Sequence, residues 1–212
     1  PGFLVNPSEN VKIKKPDHPW VSRGGLKLSH GIKYFNLKVR GKLCADIGAS
    51  TGGFTDVLLN NNAKKVYAID VGRGQLAWTL RNDKRVVVLE RTNARYLSCV
   101  HIPEPLDIIV CDVSFISLTK ILTAPMSLAR PGAHLIALIK PQFELQKNQV
   151  GKGGIVRDHE LHLLSCNKIK DWLHQQEGWR IIGIEKSPIE GQRGNIEFLI
   201  CARKDSEEQG VN

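Results

Sequence analysis

The feature that most constrains this chain is its alternation of short apolar runs with longer amphipathic or polar stretches. Runs at 43–47, 66–70, 86–89, 108–112, 134–139, 180–185 and 197–202 have the length of strands. Most are apolar along their whole length rather than at alternate positions, as befits strands covered on both faces. Helical stretches are predicted between them, at 24–36, 53–61, 74–81, 116–129 and 158–177. This order predicts an α/β fold: a doubly wound, seven-stranded, mostly parallel sheet with helices on both faces. Such sheets bind ligands beyond the carboxyl ends of their strands, where the winding reverses. The residues just after each strand are therefore the ones to read.

After the first strand comes Asp46-Ile-Gly48-Ala-Ser50-Thr51-Gly52-Gly53-Phe54, leading into a helix. Glycines let the backbone turn tightly and approach a ligand, and the helix N-terminus points its amides into the site. The spacing is G-x-x-x-G-G, neither the dinucleotide fingerprint nor a P-loop, so the pattern favours a nucleotide-like ligand without a phosphate. The second strand ends at Asp70, followed by Val71; a carboxylate there can accept bonds from ribose hydroxyls. Asn93, after the third strand, is placed to meet an adenine edge, and the fourth strand ends at Asp112. The fifth ends in Lys140-Pro-Gln-Phe-Glu, and a lysine closing a buried strand beside a cleft is unusual. Glu197, read as lying within the last apolar strand, needs a cationic partner to be buried. Lys140 or Lys27, at the start of the first helix, would serve.

What is missing also narrows the chemistry. Asp112-Val-Ser-Phe lacks the prolines typical of transfer to exocyclic amines. Attack through a pyrimidine carbon would need an accessible cysteine, and Cys111 is expected to point into the core. Cys44, Cys99, Cys111, Cys166 and Cys201 form no Cys-x-x-Cys pair, so reduced core thiols of a cytoplasmic protein are expected, with no metal. No apolar run reaches the length of a membrane span, and no signal segment opens the chain.

The formal net charge is +9, from 30 basic and 21 acidic residues. Between Val11 and Lys42 stand nine lysines and arginines (12, 14, 15, 23, 27, 33, 38, 40 and 42) against Asp17 alone. Such a patch suits phosphate backbones. Arg23 and Lys27 are candidate RNA contacts, as are Lys147, Lys152 and Arg157 in a basic, glycine-rich stretch expected to form a mobile loop. Residues 1–20, beginning with Pro1 rather than Met, read as a linker or the trailing end of a lost domain. Residues 21–204 read as the α/β domain and 205–212 as a polar tail.

Together these motifs resemble the TlyA-type (hemolysin A) branch of the FtsJ-like ribose methyltransferases. The resemblance rests on Ser22-Arg-Gly-Gly-Leu-Lys-Leu, Asp46-Ile-Gly-Ala-Ser-Thr-Gly-Gly-Phe-Thr, Asp70-Val-Gly-Arg-Gly-Gln-Leu-Ala-Trp, Glu90-Arg-Thr-Asn-Ala-Arg, Asp112-Val-Ser-Phe-Ile-Ser, Lys140-Pro-Gln-Phe-Glu and Gly194-Asn-Ile-Glu, in order. It implies a Rossmann-like fold, S-adenosylmethionine as donor and a catalytic set of Lys27, Asp112, Lys140 and Glu197. Cofactor contacts are implied from Asp46, Gly48, Ser50, Thr51, Gly52, Gly53, Phe54, Asp70, Val71, Asn93 and Asp112. It implies 2′-O-methylation of cytidine in ribosomal RNA or ribosomal subunits, in the cytoplasm, and an S4-type RNA-binding domain of which residues 1–20 would be the end.

The donor is a strong electrophile, so the protein chiefly has to align the ribose oxygen. To take the hydroxyl proton Lys140 must be neutral. Burial and Lys27 favour that form, while Asp112 and Glu197 favour the charged one. Base and orienting cation both stay open. Three rivals remain: a nicotinamide-dependent dehydrogenase, disfavoured by the glycine pattern; a non-catalytic RNA-binding ribosome-assembly factor; and a hemolysin acting directly on membranes, for which no span or pore element speaks.

Overall fold

A computed structural model describes residues 17–205. Most of the expected linker at 1–20, with Lys12, Lys14 and Lys15, lies outside the described residues, as does all but Asp205 of the expected tail. In chain order the elements are α1 (Gly24–Tyr34), β1 (Leu43–Ile47), α2 (Gly53–Asn60), β2 (Lys65–Ile69), α3 (Trp78–Arg81), β3 (Val86–Leu89), β4 (Leu106–Cys111), α4 (Leu118–Ile121), α5 (Thr123–Ser127), β5 (Ala129–Ile139), α6 (Pro141–Glu144), α7 (His159–His174), β6 (Trp179–Lys186) and β7 (Phe198–Lys204).

The strands form one seven-stranded sheet in the order β3-β2-β1-β4-β5-β7-β6. The first five are parallel, and β7 runs antiparallel to both β5 and β6. Winding goes outward from β1 to β2 and β3, then returns to β4 on the other side of β1, so the reversal falls between β1 and β4.

Successive strand residues face opposite layers, and two cores result. Ala45, Ile47, Ile109, Cys111, Leu135 and Ala137 pack with Ile121, Met126, Ile169 and Leu173 from α4, α5 and α7. Cys44, Ile108, Val110, Ile136 and Leu138 pack with Leu28, Ile32, Val57 and Leu58 from α1 and α2. All five residues of β1 and all six of β4 are buried. Each such Leu, Ile or Val contributes roughly 1.5–3 kcal/mol, which is why continuous apolar runs mark this layer.

Several boundaries differ from the expectation. The helix predicted at 74–81 starts only at Trp78, because Gly74 has φ +68° and Ala77 is extended. The stretch predicted as one helix at 116–129 is two short ones, with Pro125 in the first turn of α5. Glu197 precedes β7 instead of lying within it. Cys44, Cys111, Cys166 and Cys201 are buried, but Cys99 is exposed and is not a core thiol. Among the described residues no helix is long and apolar enough to cross a membrane, and no His, Cys, Asp and Glu cluster could hold a metal ion.

Candidate active site

Position 46 faces the α1/α2 layer, so Asp46 meets the N-terminus of α2. Its Oδ2 accepts the Thr55 N–H at 2.9 Å and the Thr55 hydroxyl at 2.7 Å. Its Oδ1 is buried without a hydrogen-bond partner. Burial pushes the carboxyl up to about 7; the Thr55 bonds oppose this, while the charges of Asp112 and Asp70 add to it.

Gly48 turns the chain out of β1 with φ +80°, and a Cβ there would lie 2.9 Å from Val113 Cγ1 and 3.0 Å from the Asp112 carbonyl. The loops after β1 and β4 therefore touch, and only glycine fits between them. Asp70 ties in the loop after β2: Oδ2 accepts the Ser50 N–H at 2.8 Å and Oδ1 the Gly72 N–H at 2.7 Å. Asn93 Oδ1 accepts the Arg95 N–H at 3.1 Å, capping the single 3-10 turn Ala94–Tyr96.

Two adjoining cavities open over the β1/β4 reversal and share Gly48, Ser50, Asp112 and Ser114. One, of about 480 Å³, lies toward β2 and β3 and is lined by Asp70, Val71, Asn93 and Asp112 together with apolar Val113, Phe115, Ile116 and Ile121. The other, of about 340 Å³, lies toward α1 and β5 and is lined by Arg23, Lys27, Asp46, Thr51, Gly53, Phe54, Asp112, Lys140 and Glu197.

The second cavity holds a chain of charges drawn from four distant elements. Glu197 Oε2 accepts from Lys27 Nζ at 2.6 Å, Lys27 Nζ lies 3.7 Å from Asp112 Oδ2, and Asp112 Oδ1 lies 2.6 Å from Lys140 Nζ. Lys140 also donates to Ser114 Oγ at 3.0 Å. Lys27, Lys140 and Glu197 are buried. Two ammonium groups face two carboxylates, and this pairing is what permits their burial. Of the two partners expected for Glu197, it is Lys27 that takes it.

The structure thus brings Lys27, Asp112, Lys140 and Glu197 together, with ten of the eleven expected cofactor residues around the same cleft. Gly52 is the exception: it caps α2 and lies against Leu76 and Leu80, away from the cavity lining. Lys147, Lys152 and Arg157 are exposed and line neither cavity. Their segment holds a 3-10 turn and the bridge Gly151–Ile155. Sequence reasoning passed over Ser114 and Phe115, although both lie in the Asp112-Val-Ser-Phe motif, and the wall Ile189–Gln192, which carries no periodic signal. Cys111 is fully buried, and burial together with Asp112 holds its thiol well above the ordinary range, so it is no nucleophile.

Three carboxylates, Asp46, Asp70 and Asp112, floor the cleft, and Asp46 offers a bare buried oxygen. That floor repels a pyrophosphate and suits a cationic ligand with an ammonium group, a ribose and an apolar base, so the residues fit S-adenosylmethionine. The architecture is that of the S-adenosylmethionine-dependent methyltransferases. One from Aquifex aeolicus superposes with a TM-score of 0.56 at 24% identity, over 89% of this chain and 94% of that one, a likeness of fold alone. The FtsJ-like methyltransferase profile matches residues 20–204, and the chain belongs to that family. It is 47% identical over 195 residues to the 16S/23S rRNA (cytidine-2′-O)-methyltransferase TlyA of Mycobacterium tuberculosis, covering 92% of this chain and 72% of that protein. It also matches the crystal structure of a Lactococcus lactis protein provisionally called a hemolysin, with a TM-score of 0.84 at 47% identity over 88% of this chain and 89% of that one.

Proposed function

We propose that this methyltransferase modifies a ribose 2′-hydroxyl of ribosomal RNA, at a cytidine, within ribosomal subunits in the cytoplasm. The observation that carries the reading is the buried, charge-balanced chain Glu197–Lys27–Asp112–Lys140 beside a cleft with an acidic floor. S-adenosylmethionine supplies an electrophilic methyl group when bound. Asp70 would hold the ribose hydroxyls with the lone pairs left by Ser50 and Gly72, Val71, Val113 and Phe115 would wall the base, and Asp46 would hold the amino end.

Lys140 lines the cavity of the charge chain, and its Nζ is fixed by Asp112 and Ser114, two residues that line both cavities. Paired with Asp112, it orients the ribose oxygen and stabilises the charge that gathers there as the hydroxyl proton leaves to solvent. Lys27 and Glu197 keep Asp112 from collapsing onto Lys140 alone. The bound donor would supply the methyl group and keep the departing electron pair on its sulfur, leaving alignment of the acceptor oxygen to this chain's residues. Alignment supplies most of the acceleration in such a displacement. Specificity for RNA follows, since DNA lacks the acceptor. Arg23 at the cavity mouth and exposed Lys147, Lys152 and Arg157 bind phosphates, and Lys27 acts from inside the cleft.

The test is transfer of labelled methyl groups to ribosomal subunits lacking this modification. Label is expected at a cytidine 2′-oxygen, and Lys140→Ala is expected to lose at least about 100-fold in rate, with donor affinity nearly unchanged. No label despite tight donor binding would leave a binding role in ribosome assembly.

A further inference from the structure

The turn 187–197 forms a wall of the catalytic cavity and delivers Glu197. The glycine-rich stretch 151–157, which carries Lys152 and Arg157, lies outside that cavity but is bonded to the turn. Asn195 joins them. Its side chain is buried, with 2% of the residue exposed. Oδ1 accepts the Val156 N–H at 3.0 Å, and Nδ2 donates to the carbonyls of Gly154 at 2.9 Å and Gln192 at 3.1 Å. One amide thus satisfies three backbone groups in segments some forty residues apart in sequence. Arg193 Nη1 donates to the Gly153 carbonyl alongside it. The loop is anchored behind by buried His162, whose Nε2 lies 3.0 Å from the Val156 carbonyl.

The other end of the connection reaches the charge chain. The Asn195 carbonyl accepts the Gly191 N–H at 2.8 Å. Gly191 lies directly against Glu197, since a Cβ there would fall 1.9 Å from Glu197 Oε1. Glu197 in turn holds Lys27 at 2.6 Å. A continuous run of contacts therefore joins the glycine-rich loop, through Asn195 and Gly191, to the carboxylate beside Lys27.

We propose that Asn195 is a positioning residue: it makes the glycine-rich loop and the cavity wall one body, so that RNA seated on the loop fixes Glu197 against Lys27. This rests on the reading of Lys27 and Glu197 as catalytic groups. The residue type follows from the bonding pattern. An amide supplies one acceptor and two donors, a carboxylate would face two carbonyls with like charge, and an apolar side chain would strand all three backbone groups.

The experiment compares methyl transfer to ribosomal subunits by the wild type, Asn195→Ala, Glu197→Gln and the double variant, with donor affinity measured by calorimetry. Asn195→Ala is expected to lose about 10–100-fold in kcat, as outer-shell substitutions do, and to raise KM for RNA, with donor affinity within about 2-fold of wild type. The double variant is expected to be no slower than Glu197→Gln alone, because both changes break one unit. A kcat for Asn195→Ala within about 2-fold of wild type, or single effects that multiply in the double variant, overturns the proposal. A wild-type rate for Glu197→Gln instead removes Glu197 from the catalytic set, a failure of the underlying reading seen independently of position 195. Should Asn195→Ala fail to fold, Asn195→Asp keeps the size and the acceptor. Its rate relative to wild type is expected to rise as pH falls from about 8 to 6, because a protonated carboxyl regains one donor. A flat ratio overturns the coupling.

Discussion

Asp46 has one carboxylate oxygen held by Thr55 and the other buried without a hydrogen-bond partner. With its carboxyl pushed up from 3.8 to about 7, chiefly by burial, the charged form is disfavoured in the folded chain. Below pH 4 or so the group is protonated in folded and unfolded chains alike and costs nothing. As pH rises the unfolded chain releases the proton first, so stability falls through the window between 3.8 and about 7 and stays reduced above it. A cationic ligand relieves that cost, which ties affinity to instability of the empty protein. Asp46→Asn is therefore expected to raise the unfolding midpoint of the ligand-free protein at pH 8 by at least about 2–4 °C, with the gain shrinking toward pH 4. It is also expected to weaken S-adenosylmethionine binding by about 10–100-fold, the loss of one charge-assisted hydrogen bond. Scanning calorimetry at the two pH values and a binding titration check both halves; a destabilised variant at pH 8 with full affinity would assign Asp46 a purely structural role.

At the scale of elements, the cleft depends on how α4 and α6 are joined, since α6 follows Lys140 directly and α4 follows the loop of Asp112 and Ser114. Glu144, the last residue of α6, is buried; its Oε1 accepts the Leu118 N–H at 2.8 Å, its Oε2 accepts the Ser117 hydroxyl at 2.5 Å, and Lys168 of α7 lies 3.6 Å away. Glu144→Ala strands two buried donors and is expected to cost about 2–4 kcal/mol in urea unfolding, and to slow methyl transfer more than Lys168→Ala does. A loss below about 0.5 kcal/mol would show that these helices are held elsewhere. This joint also marks where sequence reading stopped. Strands such as 43–47 and 86–89 were legible because burial on both faces leaves an uninterrupted apolar run. Lys140 and Asp112 were legible because charged residues at the ends of such runs have to face a cleft. The pairing of Glu144 with Ser117 was not, since it joins the end of α6 to the start of α4, 27 residues away, with no local pattern. The late start of α3 was hidden because Gly74 and the extended Ala77 override a stretch with ordinary helical composition.

Across the whole molecule, charge is sorted by depth. Among the described residues, Arg23, Lys147, Lys152 and Arg157 are exposed, while the carboxylates of Asp46, Asp70 and Asp112 floor the cleft. On the proposed reading, a cationic donor and a polyanionic acceptor would be drawn to different parts of one surface and meet beside Lys140. Because phosphate contacts act through counterion release, each one adds a fixed amount to the salt dependence of binding. Lys152 stands on the loop that Asn195 ties to Glu197, fully outside the cleft. Lys152→Glu is expected to weaken RNA binding and to reduce the slope of log affinity against log salt by at least about 0.7–0.9, the share of one phosphate. S-adenosylmethionine affinity is expected to stay unchanged, since no cleft residue is altered. Binding titrations of ribosomal RNA between about 50 and 200 mM salt measure the slope. An unchanged slope with weakened binding would mean that the loop contacts RNA through shape or base edges instead, and an unchanged affinity would take the glycine-rich loop off the RNA path altogether.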